Sequence, residues 1–185
     1  IRCDYKALNL DPALHHPSPP SAVNWLGTDD RGRDVFARLL YGFRVSIFFG
    51  LILACLGTVL GFLIGAMQGF FGGWLDLLGQ RGIEIWGSLP ELYLLIILSA
   101  TFEPSIPLLI VLLSIFGWMG LSAYVRAEFL RARNFYYVKA ARAMGVSNWT
   151  IISKHILPNT LTPVITFFPF RVSGAIVELT SLDFL

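Results

Sequence analysis

Residues 45–75 read VSIFFGLILACLGTVLGFLIGAMQGFFGGWL and contain no Asp, Glu, Lys or Arg over 31 consecutive positions. A helix that crosses the roughly 30 Å hydrocarbon core of a bilayer needs about 20 mostly apolar residues. A second uncharged stretch, residues 104–125, covers 22 positions. Both stretches are therefore predicted to span a membrane, since a buried helix of a soluble protein rarely stays uncharged for so long.

Two further stretches are apolar but carry charges. Residues 83–102 include Glu91, and residues 161–185 include Arg171 and Glu178 together with two prolines. We expect these stretches to form two more spans. The predicted fold is therefore an all-α polytopic membrane helix bundle with about four spans.

The composition of the 185-residue chain favours a membrane protein, and the absence of catalytic motifs indicates that it is not itself an enzyme. Hydrophobic residues make up 55% and charged residues 14%, whereas soluble domains average about 45–50% and about 25%. The net charge of +2 does not indicate a nucleic-acid partner, and two cysteines fit neither a disulfide scaffold nor a metal site. The sequence lacks the phosphate-loop, zinc-protease and serine-hydrolase motifs, so we assign no catalytic, cofactor or metal residue.

The distribution of cations predicts which side of the membrane each connection faces. Residues 126–158 hold six cations and the single anion Glu128, and cytoplasmic connections carry an excess of Lys and Arg. Counting the spans backward from this cytoplasmic segment places residues 1–44 on the other side. There we expect a Pro-rich tail and a short elbow helix that begins at Thr28 and stops at Gly42.

The cytoplasmic segment 126–158 is predicted to be a helical hairpin. We expect one long helix over residues 126–144, a left-handed end at Gly145, and a second helix that Ser147 caps and Pro158 stops. Its cations could hold the hairpin flat on lipid headgroups. Its small Ala and Gly residues suit close packing against another protein better than membrane anchoring, so we favour docking to a cytoplasmic partner.

Four glycines repeat every fourth position in the first span, at Gly57, Gly61, Gly65 and Gly69. Residues four apart lie on one face of a helix, and a glycine face lets another helix approach closely in lipid. We therefore predict a tight helix contact along this stripe. The partner helix can belong to the same chain or to another subunit, and the sequence leaves both open.

Polar groups in the weaker spans mark a candidate solute pathway. Pro90 interrupts an apolar helix, and Glu91, which follows it, can line a solvent path or lie at the membrane interface. Arg171 can snorkel, line the pathway or pair with Glu178, and we favour the pairing. All four residues are kept as pathway candidates.

The hairpin also carries a family motif. The EAA loop of ABC-importer permeases has the pattern Glu-Ala-Ala, three residues, Gly, nine residues, Ile, one residue, Leu-Pro, which this sequence resembles. The residues in register are Ala140, Ala141, Gly145, Leu157 and Pro158. Lys139 and His155 replace the Glu and the Ile. Segments 26–34, 126–131 and 180–185 add to a likeness to the second permease subunit of oligopeptide importers, near the microcin C branch.

This resemblance implies a type I ABC-importer permease fold in a bacterial inner membrane, with residues 45–185 as the permease domain. It implies a second permease subunit, cytoplasmic ABC ATPases, a periplasmic or extracellular solute-binding protein and membrane lipid as partners. The EAA loop, including Ser147, would then couple ATPase motion to alternating access. Family permeases have six spans, so we expect a piece of a longer protein that lacks the first and last.

Three functions compete at this point. A permease subunit of an ATP-driven peptide importer agrees best with the residues and the resemblance, and similar permeases carry nickel or other small solutes. A stand-alone secondary transporter or channel would need polar groups near the membrane midplane, which the two clear spans lack. A structural anchor would bind a cytoplasmic protein without moving any solute.

Overall fold

The computed structural model describes residues 5–7, 17–102 and 105–183. The predicted turn at 103–104 and the end of the last predicted span at 184–185 lie outside the described residues, as does most of the Pro-rich tail.

Helices dominate the described parts of two compact units, Ile1–Phe48 and Phe49–Leu185. No β-strand occurs among the described residues, where one isolated bridge joins Thr28 to Asp34. The predicted all-α class is confirmed. In chain order the helices are α1 (Val35–Phe71), α2 (Gly73–Gly87), α3 (Glu91–Thr101), α4 (Ile106–Phe116), α5 (Met119–Ala132), α6 (Tyr136–Ala143), α7 (Asn148–Thr150), a π-helical stretch (Ile151–Ile156) and α8 (Leu157–Asp183).

Helix α1 begins after the predicted start and runs through Gly42, so the elbow and the first span form one helix of 37 residues. The start is later because Asp34 replaces Thr28 as the cap: its carboxylate accepts a hydrogen bond from the Phe36 N–H at 2.9 Å. Gly42 does not end the helix because one glycine costs a helix interior only about 1 kcal/mol, and a long apolar run follows it.

Within the part of the chain that the structure describes, three helical stretches are long and apolar enough to cross a membrane. They are Val35–Phe71, Ile106–Ala132 and Asn148–Leu182. The span predicted over residues 83–102 is not one helix, because α2 ends at Gly87 and α3 begins after Pro90. The Pro90 ring removes a backbone donor, and its backbone is extended, so the chain breaks here instead of bending.

Helices α1 and α5 run in the same direction along a shared contact. Gly61 of α1 lies against Leu121, and Gly69, two turns later, lies against Phe129. Two neighbouring helices that run the same way need a return connection between them, so the chain must travel back along their length between the end of α1 and the start of α4.

Helices α2 and α3 together make this return. The Trp86 ring at the end of α2 stacks on Phe116 with ring centroids 5.8 Å apart, and Leu95 of α3 is buried in one cluster with Leu113. Later residues of the return therefore meet earlier residues of α4. A helix of 15 residues and one of 11 residues therefore occupy the stretch that includes the single helix predicted over residues 83–102.

The helix predicted over residues 126–144 is two helices. Phe135 adopts an extended backbone and precedes α6, and the Asn134 side chain donates a hydrogen bond to the Leu130 carbonyl at 2.9 Å. This side-chain bond competes with the helical ladder and favours a turn, so the chain is interrupted between α5 and α6, which the cation pattern alone did not reveal.

Pro158 does not stop the helix that follows Gly145. The stretch Ile151–Ile156 is π-helical and continues without a break into α8. The wider π turn supplies an irregularity next to the proline, where an ordinary ladder would lose a hydrogen bond. The second arm of the hairpin and the last span are therefore one continuous helical rod.

Two clusters of buried apolar residues form the core of the Phe49–Leu185 unit over its described residues. The first joins α1, α5, α6, the π-helical stretch and α8, and contains Ala66, Phe70, Leu121, Val125, Phe129, Ala132, Val138, Ala141, Ile151, Ile156 and Val164. The second joins α1, α3, α4 and α8.

The buried residues of the second cluster are Phe49, Leu53, Leu95, Leu113 and Ala175. The first cluster is the one that positions the candidate site, because it connects the hairpin to the spanning helices.

Candidate functional site

Most of the motif residues lie on a compact hairpin, residues 136–156, which is packed against the spanning helices, and Leu157 and Pro158 follow directly at the start of α8. Val138 and Ala141 of α6 share a buried cluster with Ile156 of the second arm, and each is at most 3% exposed. The same cluster includes Phe70 near the end of α1. Because close-packed interiors transmit strain, a force applied to this hairpin reaches α1 and α5 directly.

Gly145 ends the first arm in the left-handed conformation that the sequence predicted, with φ at +78°. The Val146 N–H donates to the Ala141 carbonyl and the Gly145 N–H donates to the Arg142 carbonyl, both at 3.1 Å. This bond pair is the Schellman ending of a helix. It satisfies the last carbonyls of α6 and fixes the angle between the two arms.

The outer face of the hairpin carries large apolar side chains that contact little of the described chain. Tyr136 is 91% exposed, Met144 is 75% exposed and Trp149 is 76% exposed. Lys139 and Ala140 are exposed as well. The sequence analysis did not include the aromatic members of this surface. Tyr136 and Trp149 each lie beside a helix end, one on each arm, and this placement could have indicated an aromatic contact surface.

The EAA-type residues divide between the core and the surface. Ala141 is buried, whereas Ala140 is exposed and open space surrounds Gly145 on the Cβ side. Ser147 caps the second arm as predicted, because its Oγ accepts a hydrogen bond from the Thr150 N–H at 3.3 Å. A contact surface for another protein therefore includes Ala140 and excludes Ala141.

The last three motif residues lie where the second arm joins α8. His155 is half-buried, with its ring 6.4 Å from that of Tyr137. Leu157 is half-buried and Pro158 is exposed. These residues belong to the junction between hairpin and last span, so their positions suit a structural connection more than direct partner contact.

An ion pair that sequence reasoning missed joins the start of α2 to α5. The Arg126 guanidinium donates two hydrogen bonds to the Asp76 carboxylate, one of them from Nη2 to Oδ2 at 2.7 Å. This hydrogen bonding with Arg126 holds the pKa of Asp76 below its ordinary value, against the effect of desolvation. Arg133 Nη1 also donates to the Gly69 carbonyl at 3.4 Å, so two arginines tie the helix ends beside the hairpin.

The glycine stripe lies against α5 of the same chain. A Cβ atom at Gly61 would come within 2.7 Å of the Trp118 carbonyl oxygen, and one at Gly69 within 2.6 Å of the Arg126 carbonyl oxygen. A Cβ atom at Gly65 would be similarly close to the Ser122 carbonyl oxygen, and Gly57 lies against Arg171 and Gly117. The sequence left open whether the partner helix belongs to the same chain or to another subunit. The contacts that the structure describes are with the same chain.

The pathway candidates come together only in part. Arg171 and Glu178 line one cavity of about 180 Å³ with Gly117, and Glu91 is close enough for its charge to interact with that of Glu178. Among the described residues, Arg171 and Glu178 interact through their charges without a direct salt bridge, and the Arg171 Nη2 donates its hydrogen bond to the Gly117 carbonyl at 2.8 Å. That carbonyl is accessible because α4 ends there and leaves it outside a regular helix.

A family model described as the inner membrane component of binding-protein-dependent transport systems matches residues 57–185. The chain belongs to this family. The matched region holds the glycine stripe, the hairpin and α8. The family resemblance drawn from the motif residues is therefore confirmed, together with a multi-pass location in the inner membrane.

The curated relatives carry the names of transport-system permeases. The chain is 56% identical over 163 residues to the peptidoglycan transport system permease protein YejE of Agrobacterium fabrum. These aligned residues cover 88% of this chain and 43% of that protein. It is 50% identical over 185 residues to the inner membrane ABC transporter permease protein YejE of Escherichia coli, covering 100% and 54%. It is 38% identical over 167 residues to the dipeptide transport system permease protein DppC of Bacillus subtilis, covering 90% and 52%. The chain spans about half the length of the curated relatives it matches.

Proposed function

We propose that the full-length protein is a transmembrane permease subunit of an ATP-driven importer whose substrates are peptides or peptide-like compounds. The family and the peptidoglycan and dipeptide transport names of its relatives support this class. One observation carries the coupling role. The hairpin has an exposed apolar outer face and a buried core that is continuous with the spanning helices.

The outer face is proposed to dock into a cytoplasmic ATPase. Exposed Tyr136, Met144 and Trp149 provide large apolar anchors of the kind that dominate binding energy at interfaces. The exposed Lys139 adds positive charge beside these anchors, so the groove that receives them is expected to have an acidic rim. The usual Glu of the motif would oppose such a rim, whereas Lys139 favours it.

ATPase closure would then move the hairpin as a unit. Val138 and Ile156 join its arms to Phe70 and Phe129 of the spanning helices, so α1 and α5 follow the hairpin. Coupling requires that the ATPase contact favour different membrane states with and without nucleotide. A packed hairpin closed by a Schellman ending meets this requirement better than a mobile loop.

The remaining partners follow from the proposed topology. Residues 126–158 face the cytoplasm because of their cation excess, and residues 1–44 face the side from which a solute-binding protein delivers the substrate. A second permease subunit would complete the pathway within the lipid bilayer. In this arrangement Glu91, Arg171 and Glu178 lie near the route of the solute, where intramembrane charges are expected to be functional.

Two tryptophans of equal exposure provide the test of the docking role. Trp149 on the hairpin and Trp74 on α2 are both 76% exposed. Truncating an interface anchor costs about 2 kcal/mol or more, so Trp149→Ala is expected to lower peptide uptake and ATPase co-purification by at least about tenfold. Trp74→Ala is expected to leave both near the wild-type level. Equal uptake by the two variants, at equal membrane abundance, would remove the hairpin from the coupling mechanism.

A stand-alone transporter is the second candidate, since Arg171 and Glu178 place charges inside the membrane-spanning region beside a cavity. It predicts peptide flux in vesicles that contain the full-length protein and an ion gradient but no ATPase. The importer proposal expects flux only when the ATPase and ATP are both present.

A further inference from the structure

A positively charged cavity lies within the Ile1–Phe48 unit, apart from the hairpin. Its volume is about 600 Å³. Four cations and two tyrosines line it, namely Lys6, Arg31, Arg33, Arg38, Tyr5 and Tyr41. Among the described residues that line the cavity, none is acidic. A pocket of this composition attracts an anion.

Asp29 holds two of the arginines in place behind the cavity. Its carboxylate accepts a hydrogen bond from Arg33 Nε at 2.8 Å and another from Arg38 Nη1. Desolvation raises the pKa of Asp29, but hydrogen bonds from Arg33, Arg31 and Arg38 outweigh it and lower the pKa to about 2. The carboxylate therefore stays charged and orients two guanidinium groups, and the three arginines that line the cavity outnumber it.

The tyrosines form a flat wall of the same cavity. The rings of Tyr5 and Tyr41 stack with centroids 3.7 Å apart and planes 7° apart. Tyrosine favours the boundary between apolar and aqueous phases, because its ring is apolar and its hydroxyl group forms hydrogen bonds. The cavity thus combines cations with the aromatic residue type that is typical of a membrane interface.

The position of the cavity along α1 places it at headgroup level. Arg38 and Arg44 are the charged residues of α1, and the helix is uncharged over residues 45–71. About 20 of these residues suffice to cross the hydrocarbon core, so the earlier turns lie in the headgroup region. Leu39 and Phe43, which flank the cavity residue Tyr41, are 58% and 69% exposed and can contact acyl chains.

We propose that this cavity binds the phosphate group of an anionic phospholipid. Guanidinium groups match phosphate oxygens through paired hydrogen bonds, and exposed apolar side chains beside the cations favour a headgroup that carries acyl chains over a soluble anion. This site is independent of the proposed transport function, because a lipid anchor at the start of α1 serves any membrane protein.

The test measures lipid retention by the full-length protein purified with its natural subunits. The protein is placed in nanodiscs that contain equal amounts of phosphatidylglycerol and phosphatidylcholine, and retained lipid is counted by native mass spectrometry. Lys6→Gln and Arg31→Gln each remove one lining charge, and neither side chain bonds to Asp29 in the structure. Arg44→Gln removes the same charge from α1 outside the cavity and is the matched control. Circular dichroism checks that all variants keep equal helix content.

We expect the wild type to retain phosphatidylglycerol over phosphatidylcholine, and each cavity variant to reduce that preference about fivefold. Arg44→Gln is expected to change it by less than about twofold, since it lies outside the cavity. Equal retention of the two lipids, or equal effects of the cavity and control variants, would overturn the proposal. Displacement of the retained lipid by inorganic phosphate would assign the cavity to a soluble anion and would overturn the lipid assignment.

Discussion

The glycine stripe of α1 and the hairpin at residues 136–156 both depend on glycine, but for opposite reasons. At Gly65 a Cβ atom would strike the Ser122 carbonyl and lie 3.0 Å from the Val125 Cβ. At Gly145 no atom lies within 4 Å of an added Cβ, yet the backbone has φ at +78°. The stripe needs glycine for space, whereas the hairpin needs it for conformation.

This difference separates the two mechanical roles of the Phe49–Leu185 unit. The stripe lets α1 and α5 pack backbone to backbone, so these helices move together. The hairpin leaves its outer face open while its inner face joins the same core. A contact between helices that transmits motion must be closely packed, whereas a surface that binds a partner must remain exposed.

The largest effect is expected from filling the stripe. Gly65→Leu places a side chain where α5 backbone already lies, and overpacking costs about 3 kcal/mol. Gly82→Leu is the control, since open space surrounds that helical glycine. We expect a strong loss of folded Gly65→Leu protein in membranes and a lower unfolding temperature in detergent. Similar stability of the two variants would mean that the stripe is not closely packed.

A smaller and local effect is expected at the other glycine. Gly145→Ala forces an L-residue into the left-handed region at a cost of about 1–2 kcal/mol. Hydrogen exchange over residues 136–156 should become faster, while membrane abundance stays normal and uptake falls. Gly120→Ala, at a glycine with open space and no positive φ, should leave exchange in the hairpin unchanged. A hairpin that is unaffected by Gly145→Ala would contradict a conformational role.

The ion pair beside the hairpin is expected to contribute less. Asp76→Asn should lower the free energy of unfolding by about 1 kcal/mol, because it weakens a charge-assisted pair that is partly shielded from water. Because Arg126 lowers the pKa of Asp76, this contribution is present above the ordinary Asp pKa and is lost as the pH falls through the lowered one. Glu84→Gln breaks an exposed pair with Arg81 and should change stability by less than about 0.5 kcal/mol. Equal effects of the two variants would show that the Asp76–Arg126 pair stabilises the fold no more than an exposed ion pair does.

The smallest effect is expected in the loop before α1. Because the pKa of Asp29 is about 2, the folded loop should persist at pH 4 and lose this support only as the pH falls toward 2. Pepsin should therefore spare the wild-type loop at pH 4 and cut Asp29→Asn at the same pH. Asp30→Asn, a change at the adjacent exposed carboxylate, should resemble the wild type. Equal cleavage of the two variants would show that the Asp29 hydrogen bonds do not order the loop.

Features with a local physical cause were predictable from the sequence. The uncharged runs predicted the two clear spans, Gly145 predicted a left-handed helix end, and Ser147 predicted a cap. Each depends on neighbouring residues alone. The spacing of the four glycines likewise predicted a close helix contact, although it did not identify the partner helix.

Features that depend on distant contacts were not predictable. Pro158 lies within a continuous helix because the preceding π-helical stretch accommodates it. The apolar pattern of residues 151–156 does not distinguish a π-helix from an α-helix. Arg171 bonds to a carbonyl at the end of α4 instead of to Glu178, which a count of residues along α8 favoured. The Asp76–Arg126 pair joins residues 50 positions apart, so the charge pattern could not reveal it.

A photo-crosslinker at Met144, on the exposed outer face, tests most directly whether the hairpin docks to an ATPase. The matched site is Trp74, which is equally exposed but lies on α2. In intact bacterial envelopes we expect Met144 to capture a polypeptide that carries a phosphate-loop motif, with a yield that changes when ATP is trapped, and we expect Trp74 to capture none. Capture of lipid alone from Met144 would contradict the account.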